Sequence, residues 1–371
     1  MTKSLPAVPN RILNLNTPPF PSAYPNPLVP SDELQQALDS AIRRGPGTSW
    51  RAGLAIVSLE PTGARPVAHF RGDREFFGAS MVKVAALYGM FELRNTLRAI
   101  AKELGPDTST SELLVDAANH LNPKIMANLP SLPALDGITK KVAVPRFAEA
   151  FRPVALSPKP GFTVEFTNAF APEAGAPTRE PRGHIEKMIV VSDNESAARC
   201  IHACGYGYLN GAVSSAGFYE PAKELGLWLG GDYAGSSEGS YWIHSDSRGL
   251  VAQASSALHA ARLLTLLHDG VLFGGSPTAN AEMLRVLAKA AAYPDQVHIT
   301  HGSVDFTVTH NKLGYATLGG QLINSECSIL QHHASGRKFV VVWLNYVKSG
   351  AHGFDAIAHV VRDTINAYLQ P

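Results

Sequence analysis

Three short motifs hold the residue types that acyl transfer needs. In Ser80-Met81-Val82-Lys83 the spacing i, i+3 puts a hydroxyl and an amine on one helical face, about 5–6 Å apart at Cβ. A neutral lysine there can take the proton of the serine, and a serine in a first helical turn points free backbone N–H groups at developing negative charge. The same spacing also describes a capping serine before a solvated lysine. Ser335 and Lys338 repeat it at a Gly336-Arg337 turn, where it carries no chemistry. In Ser192-Asp193-Asn194 a hydroxyl and an amide two residues apart could relay a proton and hold a carbonyl oxygen. Its plain alternative is a capping box of Ser192 with Glu195, ahead of Ala197, Ala198 and Ile201. In Lys312-Leu313-Gly314 the lysine would help keep Lys83 neutral, because like charges depress a lysine pKa. The glycine would let a substrate lie close along a strand edge. Alone, this third motif is a solvated lysine before a turn.

The elements that must position these residues follow from pattern. Ser31 can cap a helix from Ser31 to Arg44, with Leu34, Leu38 and Ile42 at helical spacing. Residues 52–59 read as a strand, followed by a Pro61-Thr62-Gly63 turn and a second strand near Val67 to Phe70. Ser80 to Leu104 predicts a helix. Eleven of the 26 prolines fall in 105–183, which predicts short helices and loops, with an irregular surface segment from Ala155 to Gly183. Helical patterning returns at His184 to Ala203, Gln253 to Asp269 and Ser276 to Ala292. Val304 to Thr309, Gln321 to Gln331 and Lys338 to Val347 then read as strands before a closing helix from Phe354 to Leu369. The expected fold is α/β (α+β): one antiparallel sheet built from both chain ends, flanked by helices, plus an all-helical lobe, with the site in the groove between. The expected division is a Pro-rich arm and first helix at 1–45, sheet segments at 46–79 and 295–371, and a helical domain at 80–294 with an insertion at 105–183.

Together the three motifs, in this order, resemble those of the active-site serine penicillin-recognising enzymes, most closely the class A β-lactamases. Phe76-Phe77-Gly78-Ala79 before Ser80 is similar to the family's approach to its nucleophile. So is Met188-Ile189-Val190-Val191 before Ser192, and His310-Asn311 before Lys312. The resemblance covers about residues 50–371. It implies that Ser80 is acylated with Lys83 as base, that Ser192 protonates the leaving group, and that Asn194 binds the acyl amide of the substrate. It further implies that Lys312 orients Ser192, and that the N–H groups of Ser80 and Tyr315, beside Gly314, hold the oxyanion. Three departures accompany it. Leu313 stands where the family has Thr or Ser, so a hydroxyl that holds a substrate carboxylate is missing. None of Glu195, Glu220, Glu224 and Glu238 begins the family's E-x-x-L-N pattern, whose Glu activates the deacylating water. Ser80 and Ser192 lie 112 residues apart, longer than is usual in class A. The implied activity is hydrolysis of an amide, β-lactam-like or other, or an ester through an acyl-serine. The alternatives are an acyltransferase or esterase on a non-β-lactam substrate, and a sensor of the same fold that does not turn over.

Composition bounds the remaining choices. With 371 residues, 45% hydrophobic, and 32 Lys+Arg against 31 Asp+Glu, the chain can bury a large core and lacks the basic excess of a nucleic-acid binder. The expected partner is a small-molecule or peptide substrate, with no nucleic acid, membrane, metal or cofactor. The N-terminus lacks the pattern of a secretion signal, which reads as cytoplasmic, or as periplasmic or secreted if a leader was trimmed. Cys200, Cys204 and Cys327 read as small buried apolar residues rather than a disulfide framework. Gly235-Ser236-Ser237-Glu238-Gly239 matches G-x-S-x-G, but Ser240-Tyr241-Trp242-Ile243 does not open the helix that pattern needs. Tyr233, Tyr241 and Trp242 read as packing residues near a pocket. His298, His301 and His310 have no acidic partner at metal-ligand spacing.

Overall fold

The computed structural model describes residues 27–45, 51–59, 63–105, 109–157, 161–173, 180–235, 239–247, 249–293, 297–300, 303–347 and 355–370. The arm at 1–26, Pro61-Thr62 of the expected turn, 236–238 of the Gly/Ser motif and His301 lie outside them. The helices are α1 (Asp32–Arg44), α2 (Lys83–Leu104), α3 (Thr110–Asn128), α4 (Lys140–Ala143), α5 (Phe147–Ala150), α6 (His184–Val190), α7 (Asn194–Cys204), α8 (Tyr206–Ser215), α9 (Ala257–His268), α10 (Pro277–Ala291) and α11 (Asp355–Leu369). The main sheet takes β1 (Leu28–Pro30), β2 (Gly53–Ser58) and β3 (Arg65–Phe70) from the start of the chain. Small ribbons use β4 (Phe76–Phe77), β5 (Phe151–Ala155), β6 (Phe162–Phe166), β7 (Tyr219–Glu220), β8 (Leu225–Gly226), β9 (Trp228–Leu229), β10 (Ile243–Ser245), β11 (Gly249–Val251) and β12 (Gln253–Ser255). From the end, β13 (Phe306–Leu318), β14 (Gln321–His332) and β15 (Lys338–Val347) complete the sheet.

Its order is β1-β3-β2-β15-β14-β13, so the two chain ends do meet in one sheet, with β2 paired to β15. Only the short β1 runs parallel to its neighbour. β2 alternates: Leu54 and Ile56 pack towards α1 and α11, while Ala55 and Val57 join the inner core that holds Leu263 and Leu267 of α9. α9 lies against β2 and β15. With both faces covered, Phe339 to Leu344 of β15 is buried without a break. Ser31 caps α1 as its sequence predicts, its Oγ accepting from Leu34 N at 3.3 Å. α2 is apolar from Val84 to Phe91 apart from Gly89 and is buried through most of its length, the pattern of a central helix. The neighbours of α2 are α7, α8 and β6.

Four expectations are corrected. α3 runs for 19 residues with Pro123 inside it, where the proline count predicts only short helices. Pro123 is exposed, so its ring meets solvent rather than a packed neighbour. Part of the segment read as irregular, 162–166, is β6, paired with β5. β13 continues to Leu318 instead of ending at Thr309. A bulge between Val308 and His310 resets its register, and pairing with β14 then carries it through the polar run His310-Asn311-Lys312. Lys312 therefore lies inside a strand. In the inner layer β12 precedes α9, so that helix starts at Ala257.

Arg65 on β3 grips Asp269, the residue closing α9, with Nη2–Oδ1 at 2.6 Å and Nε–Oδ2 at 3.2 Å. Both side chains are buried, so removing one partner strands a charge. Asp269→Ala is expected to lower stability by about 3 kcal/mol in urea unfolding. An unchanged midpoint would show that the pair contributes nothing.

Candidate active site

Ser80 sits in a single 3-10 turn, Ala79–Val82, that runs directly into α2. Three contacts hold this turn. Gly78 N donates to Gln253 O at 3.1 Å, and the Tyr233 hydroxyl donates to Ala79 O at 3.1 Å. The third is steric: a Cβ built on Gly314 would stand 2.4 Å from Met81 N and 2.5 Å from Gly78 O. Gly314 is therefore required for β13 to touch the Ser80 turn, a different reason from substrate clearance. Tyr315, next on this edge strand, is 49% exposed.

Lys83 opens α2 and is fully buried. Its Nζ donates to Ser192 O at 2.6 Å and to Asn194 Oδ1 at 2.8 Å, with Ser192 Oγ at 3.4 Å. Among the described residues, none of its hydrogen bonds runs to Ser80 Oγ. The amine one turn from Ser80 is thus occupied by the second motif. Lys312 Nζ, also buried, donates to the same Ser192 Oγ at 2.9 Å and to Leu313 O at 2.7 Å. Ser80, Lys83, Ser192, Asn194, Lys312, Gly314 and Tyr315 all belong to the elements that meet here.

Ser192 is delivered by a break between α6 and α7, with its backbone at φ +57°. The expected capping box is not formed. Asp193 is the cap, its Oδ1 accepting from Ser196 N at 2.7 Å, and this leaves the Ser192 hydroxyl to the lysines. Ala79 (φ +47°) and Tyr233 (φ +66°) share this left-handed backbone. Each is unfavourable for a residue with a Cβ, and such residues collect where surrounding structure over-determines them.

Burial lowers the Lys83 pKa to about 7, against a partial opposing pull from Asp193. Desolvation is the main cause. Lys312 is pushed well down, first by burial and then by the nearby Lys83. Two buried amines that share one hydroxyl cannot both stay charged without cost.

The sequence reads Tyr233 as a packing residue near a pocket, with no link to Lys83, yet its ring centroid lies 4.6 Å from Lys83 Nζ. A lone tyrosine in a Gly/Ser-rich stretch gives no periodic signal. The departures persist: Leu313 is buried opposite Glu326. The glutamates of the 195–253 stretch that are described have other partners. Glu195 pairs with Arg199, Glu220 with Lys223 and His259, and Glu224 with His244. Cys200, Cys204 and Cys327 are buried free thiols. Leu225 to Leu229 is split between β8 and β9. No group of three metal-ligating side chains occurs among the described residues, and no described helix is long and apolar enough to cross a membrane.

No family model matches the sequence, and no curated protein matches it. Among solved structures, the chain is similar to PBP-A at 18% identity and TM-score 0.50, over 93% of this chain and 99% of that one. It is similar to the TLA-3 extended-spectrum β-lactamase at 10% identity and TM-score 0.52, over 91% and 99%. A class A β-lactamase from Bacteroides cellulosilyticus gives 13% and 0.50, over 90% and 96%.

Gly314→Ala should force β13 away from the Ser80 turn. The expected cost is about 1–3 kcal/mol of overpacking, read by denaturant titration. A fully stable variant would mean that the strand-to-turn contact is dispensable.

Proposed function

The chain has the fold of the class A β-lactamases and penicillin-binding proteins. On that premise, we propose that it is a serine hydrolase acting on an amide or ester through an acyl-Ser80 intermediate. The observation that supports this most is the convergence of Lys83 and Lys312 on Ser192 Oγ one helical turn from Ser80. In this reading, Ser80 Oγ attacks the carbonyl carbon and gives its proton to neutral Lys83. The N–H groups of Ser80 and Tyr315 hold the oxyanion; losing one such donor costs about 10²- to 10³-fold in rate. The C–N or C–O bond then breaks, and Ser192, held by Lys312, protonates the leaving group. Asn194 Oδ1, now bonded to Lys83, would turn to the amide N–H of the substrate, which frees the amine to face Ser80.

A long-lived acyl-enzyme is favoured by the carboxylates. Asp193, which lies near Lys83, is committed to Ser196 N as a helix cap, and Glu195, Glu220 and Glu224 are engaged elsewhere. The hydrolytic half of the cycle therefore lacks an evident base among the described residues.

Incubation with a reactive β-lactam or a fluorophosphonate, followed by mass measurement, should give one adduct that is absent from Ser80→Ala. No adduct at Ser80 would end the acyl-enzyme reading. Chasing that adduct should show survival for minutes to hours, and release within seconds would show that a deacylating base is present.

The acylation rate should depend on a base that ionises near pH 7, the Lys83 value. Below that pH the amine is protonated, so the rate should fall about tenfold per unit, and above it should level off. Lys83→Ala should lose about 10²- to 10⁴-fold in acylation at pH 8. A flat profile from pH 5 to 9 would rule out Lys83 as the base.

A further inference from the structure

We propose that Tyr233 is a positioning residue of this site, one whose ring face sets the protonation of Lys83 and whose hydroxyl fixes the Ser80 turn. The inference rests on the acyl-enzyme reading only for its consequence; its geometry stands apart from it. The ring centroid lies 4.6 Å from Lys83 Nζ, within the range at which an aromatic face attracts an ammonium. The hydroxyl on the far end of the same ring donates to Ala79 O, next to Ser80. One side chain thus touches both ends of the Ser80–Lys83 pair.

The backbone is organised to place it. Tyr233 holds φ +66°, a conformation that an aromatic residue adopts only under constraint. Asp232 supplies the constraint: its Oδ1 accepts from Ala234 N at 3.1 Å and Gly235 N at 3.0 Å, which folds the turn around residue 233. Its Oδ2 lies 3.2 Å from Nε2 of His202, and both side chains are largely buried. His202 belongs to the last turn of α7, the helix that Asn194 opens. The same helix therefore presents Asn194 to Lys83 at one end and anchors the Tyr233 turn at the other.

The charged and titratable groups facing Lys83 are Asp193, Lys312 and Tyr233 itself, and Tyr233 in turn faces Tyr206. Among these, Tyr233 is the neutral group that favours the ammonium. Burial and Lys312 oppose it. Without the ring, the amine would lose its proton at lower pH.

The test compares Tyr233→Phe with the same ring fully fluorinated, pentafluorophenylalanine installed at residue 233. The two rings have one shape, but fluorination reverses the polarity of the face. Lysines are labelled with ¹³C at Cε, the Lys83 signal is identified by its loss in Lys83→Met, and each protein is titrated by NMR. Tyr233→Phe should keep the wild-type midpoint, and the fluorinated ring should lower it by roughly half a unit to one unit. A midpoint unmoved by fluorination overturns the proposal, because the ring face would then have no hold on the amine. Tyr233→Phe should also label Ser80 more slowly at pH 8 through loss of the Ala79 contact, and an unchanged labelling rate overturns the positioning of the turn. The titration needs no substrate. Failure of the wild type to acylate would therefore sink the acyl-enzyme reading and leave the Lys83 result to stand or fall separately.

Discussion

One hydroxyl shared by two buried amines is the constraint around which this site is built. Ser192 Oγ lies 2.9 Å from Lys312 Nζ and 3.4 Å from Lys83 Nζ, and both lysine side chains are buried. Desolvation and mutual repulsion act in the same direction, so the site disfavours holding both protons. A proton that leaves one amine has Ser192 as its bridge to the other. That gives a physical meaning to three motifs which, taken singly, each have an ordinary reading as a cap or a solvated lysine.

Holding this arrangement requires the chain to adopt conformations that it would not choose locally. Ala79, Ser192 and Tyr233 are three of the seven non-glycine residues with positive φ among those described, and all three bear on Lys83 or the Ser80 turn. Each is held by something outside itself: Ala79 by the Tyr233 hydroxyl, Ser192 by its bonds to the lysines, Tyr233 by the Asp232 turn. Gly314 adds the steric condition, since any larger residue would separate β13 from the turn it supports. Local preference is overridden where tertiary contacts are densest.

That distribution explains what could be read beforehand. α1 was legible because Ser31 caps it and Leu34, Leu38 and Ile42 repeat at helical spacing. β2, β14 and β15 were legible because burial follows their pattern. The continuation of β13 was not, because its polar residues from 310 to 312 are buried by pairing with β14 and packing on the Ser80 turn, which no window along the chain can register. α3 was hidden by Pro123, whose exposure is a tertiary fact. Ser80, Lys83, Ser192, Asn194 and Lys312 were legible by order and context. The role of Tyr233 was not, since it lies in where a constrained turn delivers it, and the cap that Ser192 could alternatively have formed belongs to its neighbour Asp193.

The two chemical departures of the sequence fall on different steps of the proposed cycle. Leu313 removes a hydroxyl from the strand that lines the substrate, which bears on which acyl donor is accepted. A buried leucine cannot compensate a carboxylate, and Lys312 is already committed to Ser192 and to Leu313 O. In the proposed reading, the acyl donor suited to this edge is one without an anionic group at that point. The engaged glutamates bear on the second step instead, because an ester on Ser80 persists unless a base prepares the water that attacks it. Beside Lys83 the structure places the Tyr233 ring, its centroid 4.6 Å from Nζ and its hydroxyl bonded to Ala79 O, rather than a carboxylate. In the proposed reading, an ester formed on Ser80 with no carboxylate base beside it among the described residues would persist, so the second step rather than the first would limit the cycle.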